Sequence, residues 1–162
     1  MTILEECKED NSTIIIFTDG SKSEQGVGAG AAIFITGTHT KSLKYRLHER
    51  CSINQAEQLT ILKSLEYIKE VHTPENTVTV YSDSQTTLRS LKNNRIHTYL
   101  IDKMRRQAIQ LERTAWTFRF CWVKARARIQ GNELADTIAK EAATNVDIPV
   151  CYDKIPISVV KR

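Results

Sequence analysis

Three segments near the amino terminus carry the hydrophobic pattern of β-strands. Residues 13–18 form a run of β-branched and aromatic side chains, which is typical of a strand buried on both faces. The small and apolar residues from 28 to 35 predict a second strand, whose glycines would let another backbone come close. Between residues 41 and 47 apolar and basic side chains alternate, which predicts a strand with one exposed face. Turn-forming residues at 21–27 and at Gly37 indicate that the three strands form an antiparallel meander.

The remaining pattern alternates helices and strands as far as Thr144. An apolar stripe at helical spacing predicts a helix at 54–71, and a fourth strand follows at 78–82. A helical crossover after the meander would place this strand parallel to the first. Aromatic residues alternate through 116–122, and we expect that row to pack in the core rather than to stack on nucleic-acid bases. Further helices are predicted at 85–91, 99–113 and 130–144.

The length and composition are those of one globular domain. The chain has 162 residues, of which 41% are hydrophobic and 26% are charged. We expect a flexible amino-terminal segment at 1–12, a folded domain at 13–144 and a tail or linker at 145–162, with a longer parent protein beyond it. The acidic start is unlike a signal peptide and no apolar run could span a membrane, so we expect an intracellular protein, nuclear or cytoplasmic.

The cysteines and histidines show no pattern of a metal site. The four cysteines are widely scattered, which favours reduced thiols over a disulfide framework. The four histidines have no metal-ligand spacing, and we expect them at the surface. These residues are Cys7, Cys51, Cys121 and Cys151, and His39, His48, His72 and His97.

Positive charge is concentrated in one part of the sequence. The whole chain has 23 basic and 19 acidic residues, a net charge of +4. Between Arg95 and Arg128 there are nine basic residues and two acidic ones, Asp102 and Glu112. Such an excess suits a polyanionic partner such as nucleic acid, but it also suits a solvated helix face, and the charge alone leaves both interpretations open.

Four carboxylates follow one another at the ends of predicted elements. Asp19 ends the first strand, Asp83 ends the fourth strand in a similar context, and Glu57 heads the apolar row of the first long helix. Asp136 lies on an alanine-rich helix face. Simple structural roles remain open for single members, since Asp-Gly is a common turn and an acid near a helix amino terminus is favoured by the dipole. The repeated strand–Asp pattern favours a shared site, because open α/β sheets place their sites at the carboxyl ends of strands.

Converging carboxylates need cations. Without a basic partner they repel one another and their pKa values rise. Hard oxygen ligands suit Mg²⁺ or Mn²⁺, and two such ions can activate a water molecule and stabilise a leaving oxygen in phosphoryl displacement.

Four ordered motifs carry a resemblance to a known family. They are Thr18–Ser21 followed by Gly28–Gly30, then Asn54–Glu57, Tyr81–Gln85 and Gly131–Asp136. Together they resemble a type 1 ribonuclease H domain over about residues 13–144. The resemblance implies an α/β ribonuclease H-like fold. Its five-stranded mixed sheet is flanked by helices, with strands 1–3 antiparallel and strands 4 and 5 parallel to strand 1.

Two further stretches of sequence indicate a particular subgroup of this family. Residues 122–125, together with 131–136 and the tail at 155–158, are similar to ribonuclease H domains of non-LTR retrotransposon polyproteins. This implies a domain that is fused to, or works with, a reverse transcriptase. As an isolated domain we expect it to be monomeric.

The resemblance also implies the reaction and the site. The family hydrolyses the RNA strand of RNA–DNA hybrids and leaves 5′-phosphate and 3′-hydroxyl ends. Positions matching Asn54 and Gln85 read the minor groove, and the backbone at Gly20 and Ser21 lies against RNA 2′-hydroxyls, which fits recognition of such duplexes by shape. The catalytic acids, which hold two Mg²⁺ ions, with Mn²⁺ as the alternative ion, match Asp19, Glu57, Asp83 and Asp136.

Two departures from the family pattern bear on binding and rate. The basic insertion that grips the hybrid in some members is missing, because 93–99 is a short link, so we expect weak and salt-sensitive binding. Arg126 stands where the family usually has a His, and Arg128 where it often has a Gly. An arginine stays protonated and cannot act as a general base, although it can contact phosphate.

Three functions are therefore open. The first is a metal-dependent hybrid endonuclease. The second is a catalytically weakened domain that binds hybrids or serves as a scaffold, because Arg126 replaces the usual His. The third is another nuclease or an integrase of the same broad fold, which the order of the acids disfavours.

Overall fold

A seven-stranded mixed sheet with helices on both faces forms the frame of the protein. The computed structural model describes residues 2–4, 10–73, 75–123 and 130–156. The strands are β1 (Thr2–Leu4), β2 (Ile14–Ser23), β3 (Gly26–Ile35), β4 (Thr38–Leu47), β5 (Thr77–Ser82), β6 (Thr117–Trp122) and β7 (Val150–Tyr152). The helices are α1 (Ile53–Ile68), α2 (Gln85–Lys92), α3 (Tyr99–Arg113) and α4 (Gln130–Thr144).

The order and direction of the central strands confirm the predicted fold class. The sheet runs β1-β6-β5-β2-β3-β4-β7. Antiparallel pairing joins β2 to β3 and β3 to β4, while β5 is parallel to β2 and β6 is parallel to β5. The meander and the two parallel strands therefore lie as expected, and β2 is a central strand with β3 and β5 as neighbours.

The hairpin between β2 and β3 is longer than predicted. Pairing continues from Ile14 opposite Ile35 to Ser23 opposite Gly26, so only Glu24 and Gln25 remain in the turn. The prediction of a turn over 21–27 is wrong, because backbone hydrogen bonding extends polar residues as strand beyond the hydrophobic run.

Two short strands lie outside the predicted domain. β1 pairs in parallel with β6, and β7 pairs in parallel with β4. The expectations of a flexible segment at 1–12 and of a tail without regular structure are therefore wrong for residues 2–4 and 150–152. Strands of three residues are too short to show a period of two, so only the neighbouring strand reveals them.

The core is divided by the sheet. One apolar cluster joins α1, α2 and α3 to the sheet, and it includes Ile14 and Ile16 of β2. The aromatic row of β6 contributes buried Trp116, Phe118 and Phe120 to this cluster, which confirms its role in the core. A smaller cluster contains Phe17 and Ala135, and it joins α4 to the sheet.

Small residues let α4 lie directly against β3. A Cβ atom on Gly30 would stand 2.5 Å from the backbone nitrogen of Ala139, and one on Gly28 would stand 2.3 Å from that of Ala143. The glycines of this strand therefore admit another backbone, as predicted.

Part of the local positive charge is used inside the fold. The guanidinium of Arg105 donates to the carbonyl oxygens of Ser90 (2.9 Å) and Asn93 (2.7 Å), where it caps the end of α2. Arg119 pairs with Asp10 at 2.9 Å. Neither guanidinium is therefore free for a polyanion, and the charge excess of 95–128 overstates the available positive surface.

Three other expectations have clear outcomes. The link between α2 and α3 is short, since α2 ends at Lys92 and α3 begins at Tyr99. Cys51 and Cys151 are free thiols, but Cys121 is disulfide-bonded, so the expectation of reduced cysteines is wrong there. Among the helices in the described ranges, none is long and apolar enough to cross a membrane. Arg126 and Arg128 lie outside the described residues.

Candidate active site

The alternation of β2 puts Asp19 and Gly20 on opposite faces of the sheet. Ile14 and Ile16 point into the cluster of α1, whereas Phe17 belongs to the cluster of α4. With a period of two, Asp19 falls on the α4 face and Gly20 on the α1 face. The backbone N–H of Gly20 donates to the Asp19 carboxylate at 2.9 Å, which orients the side chain. Asp19 lies inside β2 and does not end the strand as predicted, because pairing with β3 continues to Ser23.

Glu57 reaches this point from the first turns of α1. Ser52 caps the helix, and it exchanges hydrogen bonds with Gln55 in a capping box: the Gln55 N–H donates to Ser52 Oγ, and the Ser52 N–H donates to Gln55 Oε1. A Cβ atom on Gly20 would lie 2.8 Å from Glu57 Cγ and 2.9 Å from its backbone nitrogen. The absent side chain of Gly20 is therefore what lets α1 bring Glu57 to the strand.

Asp83 is held between the end of β5 and the start of α2. The indole N–H of Trp122 donates to the Asp83 carbonyl oxygen at 3.2 Å. Ser84 caps α2 by accepting from the Thr87 N–H at 3.1 Å. These contacts fix the backbone on both sides, so the direction of the carboxylate is set by a strand end and a helix cap.

The first three predicted acids come together. One carboxylate oxygen from each of Asp19, Glu57 and Asp83 lies within 4.8 Å of the others. Asp136, on the second turn of α4, lies close enough to Asp19 to raise the pKa of that carboxyl through a side-chain contact and through its charge. Lys140, one turn later, places Nζ 2.8 Å from Asp136 Oδ2. The four acids therefore form one group that draws on both faces of the sheet.

Burial and mutual repulsion raise the pKa values in this group. Burial, the charge of Asp83 and the hydrogen bond to Asp136 raise the pKa of Asp19 to about 8. Burial raises the pKa of Glu57 to about 7, against a lowering hydrogen bond from Ser84. The pKa of Asp83 is raised mainly by burial and also by the charge of Asp136. Each shift disfavours the ionised form, and a bound cation would reverse that preference.

The donor set fits a hard divalent cation. The Oδ1 atom of Asp83 is buried, and no hydrogen-bond donor reaches it within the described part of the chain. A buried carboxylate oxygen without a donor is unfavourable unless a cation contacts it. Oxygen-only ligands of this kind suit Mg²⁺ or Mn²⁺ rather than zinc or copper. Asp19, Glu57 and Asp83 are the residues that would hold the ion, with Asp136 beside them.

The predicted substrate contacts have a mixed placement. Asn54 and Gln85 are exposed at the first turns of α1 and α2, where a duplex could reach both side chains. Ser21 is half-buried, and Gly20 is buried against Glu57. Arg126 lies outside the described residues.

Two contributors to the site were missed by sequence reasoning. Ser84 lies close to Glu57 and lowers its pKa, and Lys140 pairs with Asp136. The four-residue spacing of Asp136 and Lys140 on a helix was a readable signal for their pair. No sequence signal pointed to Ser84, since its contact with Glu57 depends on how α1 and α2 pack.

Comparisons with known proteins agree with this geometry. A family model described as RNase H matches residues 11–144. A protein named Ribonuclease H from Syntrophus aciditrophicus (strain SB) is 29% identical over 156 residues, with 87% of this chain and 86% of that protein covered.

Solved structures show the same fold. RNase H1 from the halophilic archaeon Halobacterium salinarum NRC-1 has a TM-score of 0.56 at 20% identity, and the match covers 80% of this chain and 96% of that one. The N-terminal RNase H domain of a Mycobacterium tuberculosis protein, solved as a fusion with maltose-binding protein, has a TM-score of 0.61 at 22% identity. That match covers 82% of this chain and 94% of the other.

Proposed function

Because the chain belongs to the RNase H family, we propose that it cuts the RNA strand of RNA–DNA hybrids. In this proposal the catalytic site consists of Asp19, Glu57, Asp83 and Asp136. The observation that carries this proposal is the convergence of three carboxylates within 4.8 Å, with Asp19 inside β2, Asp83 directly after β5 and Glu57 in the first turns of α1. Their raised pKa values and the unpartnered Asp83 oxygen support a role in holding cations. Few structural roles would favour gathering Asp19, Glu57 and Asp83, which form no ion pair within the described part of the chain.

The reaction is hydrolysis of one phosphodiester bond. A water oxygen forms a bond to phosphorus, the bond from phosphorus to the ribose 3′-oxygen breaks, and that oxygen takes up a proton. The products carry a 5′-phosphate and a 3′-hydroxyl. Two Mg²⁺ ions at the carboxylates would activate the water and stabilise the leaving oxygen. The four acids would hold the positive charge of the ions in place. Because the backbone around them is held by the sheet and the helices, the arrangement of carboxylates exists before substrate binds.

Substrate recognition in this proposal depends on duplex shape. Asn54 and Gln85 present exposed amides at two helix starts on the side of the carboxylates, so both can reach a minor groove laid across the site. The backbone at Gly20 and Ser21 lies beside Asp19, where 2′-hydroxyl contacts would select RNA for cutting. Arg126 is proposed to contact phosphate.

We also propose that the domain serves a non-LTR retrotransposon polyprotein alongside a reverse transcriptase. The support is the similarity of the sequence at residues 122–125, 131–136 and 155–158 to ribonuclease H domains of such polyproteins. Sequencing of the surrounding reading frame tests this directly. A reverse transcriptase upstream in the same frame is expected, and an isolated short gene would contradict the proposal.

A cleavage assay tests the activity. RNA–DNA hybrid, RNA duplex and DNA duplex are incubated with Mg²⁺ or with Mn²⁺, and the labelled strands are resolved. We expect cutting of the hybrid RNA alone, with loss of at least 100-fold in Asp83→Asn, which removes one ligand charge. Chelation with EDTA should stop cutting by the unaltered protein.

Two other outcomes would redirect the proposal. Tight hybrid binding without cutting under either metal would support the scaffold function and implicate Arg126. Cutting of duplex DNA would support a different nuclease of the same fold.

A further inference from the structure

A second cationic feature lies outside the carboxylate group. We call it the Tyr99 patch, and it consists of Tyr99, Lys103 and Lys154. The Nζ atoms of Lys103 and Lys154 lie 4.7 Å and 4.4 Å from the centroid of the Tyr99 ring. Tyr99 is 43% exposed although it is a large aromatic residue. Within the described ranges neither lysine forms an ion pair with a carboxylate.

The patch is assembled from two distant parts of the chain. Tyr99 and Lys103 are one turn apart on α3, whereas Lys154 follows β7. The ring of Tyr152 lies 6.2 Å from that of Tyr99, and the Lys154 carbonyl oxygen accepts from Gln55 Nε2 at 2.7 Å. The segment after β7 is therefore fixed onto the helices, and its lysine is held in place.

The patch lies at the same end of the molecule as the carboxylates. Gln55, which contacts the Lys154 backbone, is two residues before Glu57 on α1, about 3 Å along the helix axis. At the other end of these helices, Lys69 Nζ hydrogen-bonds Gln110 Oε1, so α1 and α3 run in the same direction. The first turn of α1, with exposed Asn54, thus lies between the carboxylates and the Tyr99 patch.

The chemistry of the patch suits a phosphate backbone. Two ammonium groups share one ring and form no ion pair with a carboxylate among the described residues, and the amino terminus of the 15-residue helix α3 adds positive potential. Lysine binds phosphate as a flexible point charge, and an exposed tyrosine can pack on sugar or base. If the lysines served only to hold the tail by cation–π contact, one of them would suffice, and the second would add repulsion.

We propose that the Tyr99 patch binds backbone phosphates of the hybrid whose RNA strand lies at the carboxylates, and so provides grip outside the cleavage site. This proposal rests on the proposed function. The short link between α2 and α3 leaves the start of α3 open to such a duplex, and Asn54 lies on the path between the two contacts.

The test compares two double variants with equal charge loss. Lys103→Gln/Lys154→Gln removes the patch charge, and Lys41→Gln/Lys69→Gln removes two exposed charges from the opposite part of the molecule. Binding of a labelled hybrid is measured by fluorescence anisotropy between 50 and 200 mM salt, in an Asp83→Asn background that prevents cutting. Cleavage kinetics are measured with Asp83 intact.

We expect the patch variant to weaken binding about tenfold at 50 mM salt. The slope of log K against log salt concentration should become less steep by about one to two. Its KM should rise while kcat stays close to that of the unaltered protein, because the reacting groups are untouched. The matched variant should change neither slope nor KM. Lys103→Arg/Lys154→Arg should restore binding, which separates charge from folding.

Two results overturn the proposal in distinguishable ways. If the unaltered protein cuts the hybrid and the patch variant keeps its affinity and salt slope, only the Tyr99 patch proposal fails. If the unaltered protein neither binds nor cuts hybrid, the proposed function fails and the patch proposal fails with it.

Discussion

Replacing Asp19 by Asn should stabilise the metal-free protein while abolishing its activity. Asp19 lies beside Asp83 and Asp136, and burial together with these neighbours raises its pKa from 3.8 to about 8. Folding therefore disfavours the ionised carboxylate. An asparagine keeps the acceptor for the Gly20 N–H but brings no charge, so it removes the repulsion and leaves the local hydrogen bond.

The magnitude follows from linkage between protonation and folding. With a pKa of 3.8 in the unfolded chain and about 8 in the fold, ionisation of Asp19 lowers the free energy of unfolding at pH 7 by on the order of 4 kcal/mol. The amide must still fit among acids, so we expect a measured gain of about 2–4 kcal/mol. For a chain of this length that is a rise in Tm of about 4–16 °C.

The pH dependence has a definite sign. The unfolded chain releases the Asp19 proton near pH 4, whereas the folded chain retains it until about pH 8. Stability is therefore highest at low pH within this window and falls as pH rises from about 4 to 8. Glu57 acts in the same direction, because its pKa is raised from 4.5 to about 7. Asp19→Asn should remove much of the slope.

Thermal unfolding in EDTA between pH 5 and 8 measures both effects. Asp10 provides the matched control, since its carboxylate is also largely screened from solvent. Burial raises the pKa of Asp10, but hydrogen bonds from Ser12, Tyr81 and Arg119 outweigh it and lower the pKa to about 2. Asp10→Asn should lower stability by about 1.5–3 kcal/mol, because hydrogen bonds to a charged group are lost. It should leave the slope between pH 5 and 8 unchanged.

Added Mg²⁺ should narrow the difference in stability between the two proteins. Binding at 100 times the dissociation constant would stabilise the unaltered protein by about 2.7 kcal/mol, and Asp19→Asn would gain less because a ligand charge is missing. The reasoning is refuted if Asp19→Asn lowers Tm in EDTA, or if both proteins show the same pH slope.

Two further changes probe the local geometry and the loop. Gly20→Ala would place a methyl group 2.8 Å from Glu57 Cγ and against its backbone. We therefore expect stability to fall by about 1–3 kcal/mol and hybrid cleavage to fall at least tenfold. Near-normal cleavage would show that Glu57 does not depend on this contact. Arg126→His should raise kcat, because histidine can transfer a proton at neutral pH and arginine cannot; an unchanged kcat would show that this position does not limit the rate.

The predictable parts of the fold are the elements that a single hydrophobic pattern in the sequence determines. Residues 14–17 are apolar in succession, and this alone identifies a central strand whose two faces are both covered. The α3 helix begins and ends at the predicted residues, Tyr99 and Arg113, because its polar and apolar faces are sharply divided. Local sequence and tertiary packing agree at these places.

The parts that were missed depend on partners elsewhere in the chain. β7 exists because β4 offers an open edge, and nothing within Val150–Tyr152 marks it as a strand. Gly20 shows the same dependence: its motif predicts a backbone contact with substrate, and packing adds that its missing side chain makes room for Glu57. A glycine in a motif indicates a close approach, but only the folded structure says to what.

The same alternation in β2 determines both the core and the site. Ile16 and Phe17 face different clusters, and two residues later Thr18 and Asp19 repeat that division. A slip of one residue in the pairing with β5 would turn Phe17 towards α1 and move Asp19 away from Asp136. The hydrophobic residues of β2 therefore keep in register a carboxylate whose ionisation destabilises the fold, and the group of acids can persist because core packing, rather than the acids, specifies the strand.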